Sequence, residues 1–354
     1  MLRSFTLKRG NTVHVGLVMD GHGMLGELAA QTAGASIADY IETQLTRKLN
    51  VRSIRDVPAR KMKEVVNAAF QKAHDDVIAL YLQPPKEYNF PAPGFAAPGM
   101  RPHAVFNLDS MEGGVLVYSS PMTGFRLVEF GTTASLAIVE NGYIVVAHVG
   151  DSDVIVGSMD ADGFVTSNEM TKPHSAFSTS ERFRIAELLS ADDDNDMVDL
   201  VNMRDDGYLE VPNLGGLPSS VALGMTRAIG HKHLEEYGVI ARPDIRFYET
   251  SDDDLLLVLA TDGVWDAMHP RDAAVYLLQK VLMDGEAMEA AVKDLCDSCV
   301  AMQERALGLA DNTSAVVLRI GTRAGPSDRR DGPGAVRVAA SGRRQPRHAD
   351  EFII

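Results

Sequence analysis

Cysteine is almost missing from this chain: its 354 residues contain two, Cys296 and Cys299. Two thiols are too few for a disulfide framework and suit a reducing compartment. Apolar runs are short as well. None approaches the roughly 18–20 residues that span a bilayer, and the start of the chain has no signal-peptide core. The expectation is an intracellular protein, cytoplasmic or nuclear, with no membrane partner. Excess positive charge is also lacking, since the formal charge is −15 and the pI about 5.1. Such a balance argues against a nucleic-acid partner, which calls for a basic face.

Acidic residues stand at informative places. Apolar, strand-like runs over 14–19, 143–150 and 255–261 end at Asp20, Asp151 and Asp262; Asp266 follows four residues later, and Asp311-Asn312 precedes the run 313–320. Each aspartate taken singly reads as a turn or helix-capping residue. Together they form an oxygen donor set of the kind Mg²⁺ and Mn²⁺ prefer. A metal-activated water beside a held phosphoryl oxygen hydrolyses phosphate esters, so that is the predicted chemistry.

With 45% hydrophobic residues the chain can bury a large core, and candidate ligands running from residue 20 to 311 favour one domain over residues 1–320. Apolar or small residues at Leu25, Leu28, Ala29, Ala33, Ile37 and Ile41 predict one amphipathic helix, and Met62, Val66, Phe70, Ala73 and Val77 a second. Prolines crowd a surface insertion at about 84–120. A β-meander is then predicted over 114–118, 124–130, 133–139 and 143–149, with Asn141-Gly142 as a hairpin turn. Ser178-Thr179-Ser180-Glu181 predicts a helix cap. Pro270 opens a helix to about Met283, and another runs from Glu286 to Gly308. Residues 321–354 read as a disordered, locally basic tail. The acidic run at 192–196 fails as a calcium loop, because Met197 and Met203 occupy the positions that need Gly and Glu.

Seven short boxes, in order over about residues 12–320, resemble the metal-dependent (PPM, type 2C) serine/threonine protein phosphatases. Asp20-Gly21-His22-Gly23 is similar to DGHGG, Gly131-Thr132-Thr133-Ala134 to GSTA, and Val149-Gly150-Asp151-Ser152 to VGDS. Thr226 to Gly230 resembles SRAFG, Gly238 to Ile245 GVIAEPEI, Ala260 to Asp266 ASDGLWD, and Asp311 to Ser314 the DNIT box. The resemblance implies an α+β fold, an antiparallel β-sandwich with helices on both outer faces (α-β-β-α). It implies two Mg²⁺ or Mn²⁺ ions with a weaker third, a phosphoprotein substrate and a monomer. By the same resemblance Asp20 bridges both ions, the Gly21 carbonyl binds the first, Asp262 and Asp311 bind the second, Asp151 and Asp266 join Asp262 at the third, and His22 is the general acid.

The family's Arg-x-x-x-Glu-Asp strand before the first box has no counterpart here, for Arg3 and Arg9 open no such pattern. That removes a carboxylate from the second ion and a clamp from the phosphate. A chain shortened at its start is the expectation, and a catalytically weak or inactive phosphatase-like binding module is the alternative. His231, Pro173-His174 and Asp153 are smaller departures. The Cys299-to-Arg305 spacing resembles that of cysteine-dependent phosphatases, but no glycine-containing phosphate loop accompanies it, and Cys296-x-x-Cys299 lacks a second pair for zinc.

Overall fold

The computed structural model describes residues 1–8, 10–84, 87–91, 103–110, 115–120, 124–190, 201–212, 214, 220–321 and 336–340. Its two principal sheets use β1 (Leu2–Thr6), β2 (Thr12–Val18), β3 (Ala134–Glu140), β4 (Tyr143–Val149), β5 (Asp153–Met159), β6 (Val165–Glu169), β7 (Asp244–Glu249), β8 (Asp254–Ala260), β9 (Ser314–Arg319) and β10 (Val336–Ala340). Strand order is β1-β2-β3-β4-β7 in the first sheet and β6-β5-β8-β9-β10 in the second, antiparallel throughout.

The two faces of β8 explain the layering. Every residue of this strand is buried. Leu257 and Leu259 join Val18, Ala137, Val146, Val154, Val316 and Leu318 between the sheets. Leu256 and Val258 point the other way, against α5 (Pro270–Leu278) and α6 (Met288–Leu307). A strand covered on both faces has no polar side to show, hence its continuous apolar run. On the opposite flank, α1 (Gly26–Thr43) and α2 (Ala59–Leu82) set Ile37, Ile41, Val66 and Phe70 onto Val13, Val15, Leu17 and Leu136. The result is the α-β-β-α sandwich the sequence implies. Gly16 permits the sheets to close, because a Cβ there would meet Leu318 Cδ1 at 3.1 Å. Among the described residues no helix is long and apolar enough to cross a membrane.

Local signals are followed closely. Asn141 and Gly142 take φ of 45° and 76° between β3 and β4, the primed-turn geometry that asparagine tolerates and glycine, lacking a Cβ, adopts freely. Gly308 ends α6 in the left-handed region. Three segments differ from expectation. Within the Pro-rich insertion, Glu87–Pro91 and His103–Ser110 are strands of a separate four-stranded sheet with Leu116–Ser120 and Gly124–Leu127. The expected four-strand meander is therefore split: its first two strands sit in that sheet, while Phe130–Thr132 joins a small one with Gly21–Gly23 and Ile229–Gly230. Within the expected disordered tail, Val336–Ala340 pairs with β9, and its Val-x-Val alternation supplies a strand pattern. The rest of the tail, Arg9 and the acidic run 192–196 lie outside the described residues.

Two buried carboxylates tie the helices down. Glu181, at the start of α3 (Thr179–Ser190) and 2% exposed, accepts from Arg227 Nη2 at 2.6 Å, Arg184 Nη2 at 2.7 Å and Thr226 Oγ1 at 3.0 Å. Burial alone would raise its pKa, but the hydrogen bonds and charge of Arg227 and Arg184 outweigh it and hold the carboxyl at about 2. Glu129 is different. Its neighbours are the Tyr81 hydroxyl at the end of α2 and the His233 amide, at 3.1 and 3.3 Å, and burial pushes its pKa up to about 8. A protonated Glu129 can donate to the phenol, whose own proton also serves the Phe130 carbonyl at 2.8 Å.

Glu181→Ala strands Arg227 without its buried partner and should cost about 3 kcal/mol in urea unfolding. The native pair stabilises fully above the unfolded pKa of 4.5 and is lost as pH falls toward about 2. Glu129 has the opposite sign: the folded chain holds a proton that the unfolded chain releases, so this residue lowers stability as pH rises from 4.5 to about 8. Glu129→Gln should therefore gain on the parent protein across that interval in chelator-treated unfolding curves measured at several pH values.

Candidate active site

Asp20 follows β2 at the mouth of the sandwich, where its main chain is pinned from both sides. The Asp20 amide donates to Thr133 Oγ1 at 2.9 Å, while its carbonyl accepts from the Thr133 amide and Thr132 Oγ1, each at 2.8 Å. Thr133 Oγ1 also lies 2.7 Å from Ser152 Oγ, which links Asp20 to the turn carrying Asp151. Gly150 forms that turn with φ of 93°, and any Cβ would strike Thr133 Cγ2 at 2.5 Å.

Glycine is equally required beside Asp20. A Cβ on Gly21 would fall 2.1 Å from the Gly26 carbonyl oxygen, so the short strand Gly21–Gly23 can pass the first residue of α1 only without a side chain. His22 projects from this strand with Nε2 4.0 Å from Asp20 Oδ2, and its side chain is 9% exposed.

Asp262 opens the short helix α4 (Asp262–Trp265), and Asp266 closes it. Asp311 immediately precedes Asn312 and β9. Three contacts register these segments. The Thr261 amide donates to the Ser314 carbonyl at 3.0 Å, Gln303 Nε2 to the Gly263 carbonyl at 3.2 Å, and the Asp311 amide to Gln303 Oε1 at 2.8 Å. Gly263 is the contact point, since a Cβ there would sit 2.7 Å from the Asn312 carbonyl.

The carboxylates consequently feel one another. Burial raises the Asp262 pKa far above the usual carboxylate range, and the charges of Asp20, Asp311 and Asp266, with a hydrogen bond to Asp20, raise it further. Asp151 is raised chiefly by burial and next by the charge of Asp262. Asp266 is raised by burial and then by Asp311. Oδ1 of both Asp151 and Asp262 is buried without a hydrogen-bond partner. Clustered, desolvated carboxylate oxygens of this kind fit a hard divalent cation, which would relieve repulsion and desolvation together. The fit is of donor chemistry and proximity: among the described residues no three acidic, histidine or cysteine side chains already surround one point as a finished cage.

The sequence therefore singled out six residues, Asp20, His22, Asp151, Asp262, Asp266 and Asp311, which the fold brings into one electrostatic neighbourhood beside Gly21. Gln303 escaped the sequence reading, because a glutamine on a helical face carries no signal of what its amide will bridge. The departures also find places. His231 is fully buried with φ of 53°; burial and the charges of His22 and His74 push its pKa down to about 3, so it is a neutral packing partner of Gly131. Asp153 accepts from Thr171 Oγ1 at 2.6 Å, and burial raises it to about 6. The His174 amide braces the Gly150 carbonyl at 2.9 Å. Arg3 pairs with Asp39 and Glu42 of α1. Cys296 and Cys299 are buried inside the unbroken helix α6, and burial pushes the Cys299 thiol up to about 12, so no thiolate nucleophile forms there.

The sequence profile of the family described as Protein phosphatase 2C matches residues 117–306, an interval that includes Asp151, Asp262 and Asp266 and leaves Asp20 and Asp311 outside. Probable protein phosphatase 2C 72 of Arabidopsis thaliana is 31% identical over 197 residues, covering 48% of this chain and 55% of that one. Probable protein phosphatase 2C 33 of the same plant is 28% identical over 173 residues, covering 48% and 32%. The chain thus spans from a third to just over half of these relatives' lengths. In fold, serine-threonine phosphatase 2C from Toxoplasma gondii superposes with a TM-score of 0.60 at 18% identity, covering 90% of this chain and 93% of that one. On the extent of the profile match and the shared sandwich, the chain belongs to the protein phosphatase 2C family.

Proposed function

We propose that this chain hydrolyses phosphoserine and phosphothreonine esters on proteins, acting as an intracellular monomer at the carboxylate cluster. The observation that supports this reading is the convergence of Asp20, Asp262 and Asp311 with desolvated, unpartnered carboxylate oxygen at Asp262. Asp20, the Gly21 carbonyl, Asp262 and Asp311 are the residues that would hold two Mg²⁺ or Mn²⁺ ions, with Asp151 and Asp266 beside Asp262 as a weaker third position. Bound there, the ions supply Lewis acidity to a phosphoryl oxygen and to the attacking water.

The chain's own residues do the rest. The carboxylates fix the direction from which water approaches phosphorus, opposite the seryl oxygen. As the P–O bond breaks, the seryl oxygen takes the electron pair and a proton from His22, giving the free hydroxyl and inorganic phosphate. His22 suits this role because an imidazole can carry and release a proton, and its Nε2 lies 4.0 Å from Asp20 Oδ2 at the cluster. The pinned backbone of Asp20 and the Gln303 bridge keep these groups in place between turnovers.

A second reading, a phosphatase-like binding module with weak or no turnover, has its own observation. Arg3, the described arginine nearest the first box, is engaged by Asp39 and Glu42 rather than offered to a phosphate. Manganese-dependent hydrolysis of p-nitrophenyl phosphate separates the two. The phosphatase reading expects turnover that falls by at least about 100-fold in Asp20→Ala and Asp262→Ala; a folded parent protein without turnover at saturating manganese selects the module.

Thermal unfolding supplies a check that needs no activity. Manganese should raise the melting temperature of the parent chain through mass action, and Asp262→Asn should abolish that rise. The same variant should be the more stable protein in chelator, because it deletes one member of a repelling group. Equal manganese shifts in both proteins would rule out Asp262 as a ligand.

A further inference from the structure

On one flank of the sandwich the two sheets meet edge to edge. β7 ends the first sheet and β6 the second, and Arg246 Nη1 spans the gap to the Glu169 carbonyl at 2.7 Å. A cavity of about 600 Å³ opens at this seam, with Val146, Met170 and Thr171 among its lining. Its volume falls within the range of ligand sites.

The lining is basic on a protein that is strongly acidic overall. Six lysines and arginines face two carboxylates, Glu169 and Asp244, although the chain carries a net −15. Internal pairs account for some of that charge. Arg227 is committed to Glu181 at 2.6 Å and to Asp244 at 2.9 Å, and Arg184 to Glu181 at 2.7 Å. Lys63, Lys172 and Arg242 are exposed and form no ion pair among the described residues. Arg242 stands where the box GVIAEPEI has glutamate, so this chain reverses a charge at the rim. Among the described lining residues, Glu169 is the carboxylate left to offset the three, since Asp244 is held by Arg227.

The wall beside them is an open strand edge. β7 pairs with β4 alone, and among the described residues no strand covers its outer side. Such an edge presents main-chain donors and acceptors that an extended peptide can complete, with pockets for alternate side chains. His148 of β4 lines the same cavity, three residues before Asp151, a chain span of at most about 11 Å.

We propose that this basin receives an extended acidic segment of another protein, laid along β7 with its carboxylate or phosphoryl side chains on Lys63, Lys172 and Arg242. That the segment is the flank of a phosphorylated substrate residue rests on the phosphatase reading. Charge on an edge strand can also serve merely to prevent aggregation, in which case removing it leaves peptide binding untouched.

The test uses the full chain and the double variant Lys172→Glu/Arg242→Glu. Neither side chain is in an ion pair among the described residues. In chelator and low salt, a fluorescein-labelled hexaglutamate peptide should bind the parent chain, and the variant about tenfold or more weakly by anisotropy. Equal affinities overturn the proposal, as does binding of inorganic pyrophosphate without binding of the peptide, which assigns the basin to a small free anion. With manganese, the variant should lose kcat/KM on a glutamate-flanked phosphopeptide and keep it on p-nitrophenyl phosphate. Unchanged kcat/KM on the phosphopeptide overturns the substrate role. Absence of p-nitrophenyl phosphate turnover in the parent chain overturns that role too, through the catalytic reading, and leaves the peptide-binding arm to decide the basin itself.

Discussion

Mutual repulsion among buried carboxylates is the constraint around which this protein is arranged. Asp262 lies within the field of Asp20, Asp311 and Asp266, and Asp151 within that of Asp262. Like charges out of water are costly, and a fold that assembles them must be held by interactions elsewhere. The holding is done by main chain and neutral side chains: Thr132 and Thr133 at Asp20, Gln303 at Asp311 and Gly263. None of these supports carries charge of its own, so they fix the positions of the acids without neutralising them. A divalent cation can supply what the protein withholds.

Sheet closure brings the acids together. Asp20 belongs to the first sheet's end, Asp262 and Asp311 to the second's, and the layer of Val18, Ala137, Leu257, Leu259, Val316 and Leu318 is what keeps those ends adjacent. Burial of apolar surface between sheets therefore opposes the electrostatic strain at their rim. Gly16 sets how near the layers come, since a methyl group there would meet Leu318, while Gly21 and Gly263 do the same for the segments that carry Asp20, Asp262 and Asp311.

Likeness to known phosphatases divides along the same line. Identity of 31% to the Arabidopsis thaliana relative covers 48% of the chain, whereas fold likeness to the Toxoplasma gondii phosphatase covers 90% of it at 18% identity. Packing of alternating apolar faces tolerates exchange of one hydrophobic residue for another, so the architecture outlasts the letters. Departures such as His231 are absorbed in the same way: burial keeps the imidazole neutral, and it packs where a charged group would need a partner.

Much was legible from residues alone. Periodicity located α1 and α2, Pro270 and Gly308 bounded α5 and α6, Asn141-Gly142 located its hairpin, and the strand-ending aspartates marked the candidate site, because each of these signals acts within a few positions of chain. The Pro-rich stretch misled, for strand pairing between Glu87–Pro91 and His103–Ser110 overrides a composition that reads as irregular. Val336–Ala340 was hidden for the same reason: a five-residue strand among Arg, Gly and Pro becomes evident only when β9 offers an edge. Composition and order of residues thus determined the layers, the helices and the identity of the acids. Tertiary structure alone decided that Gln303 would bridge Gly263 to Asp311, that Arg3 would be spent on α1, and that Lys172 and Arg242 would share one basin, since each depends on where distant segments come to rest.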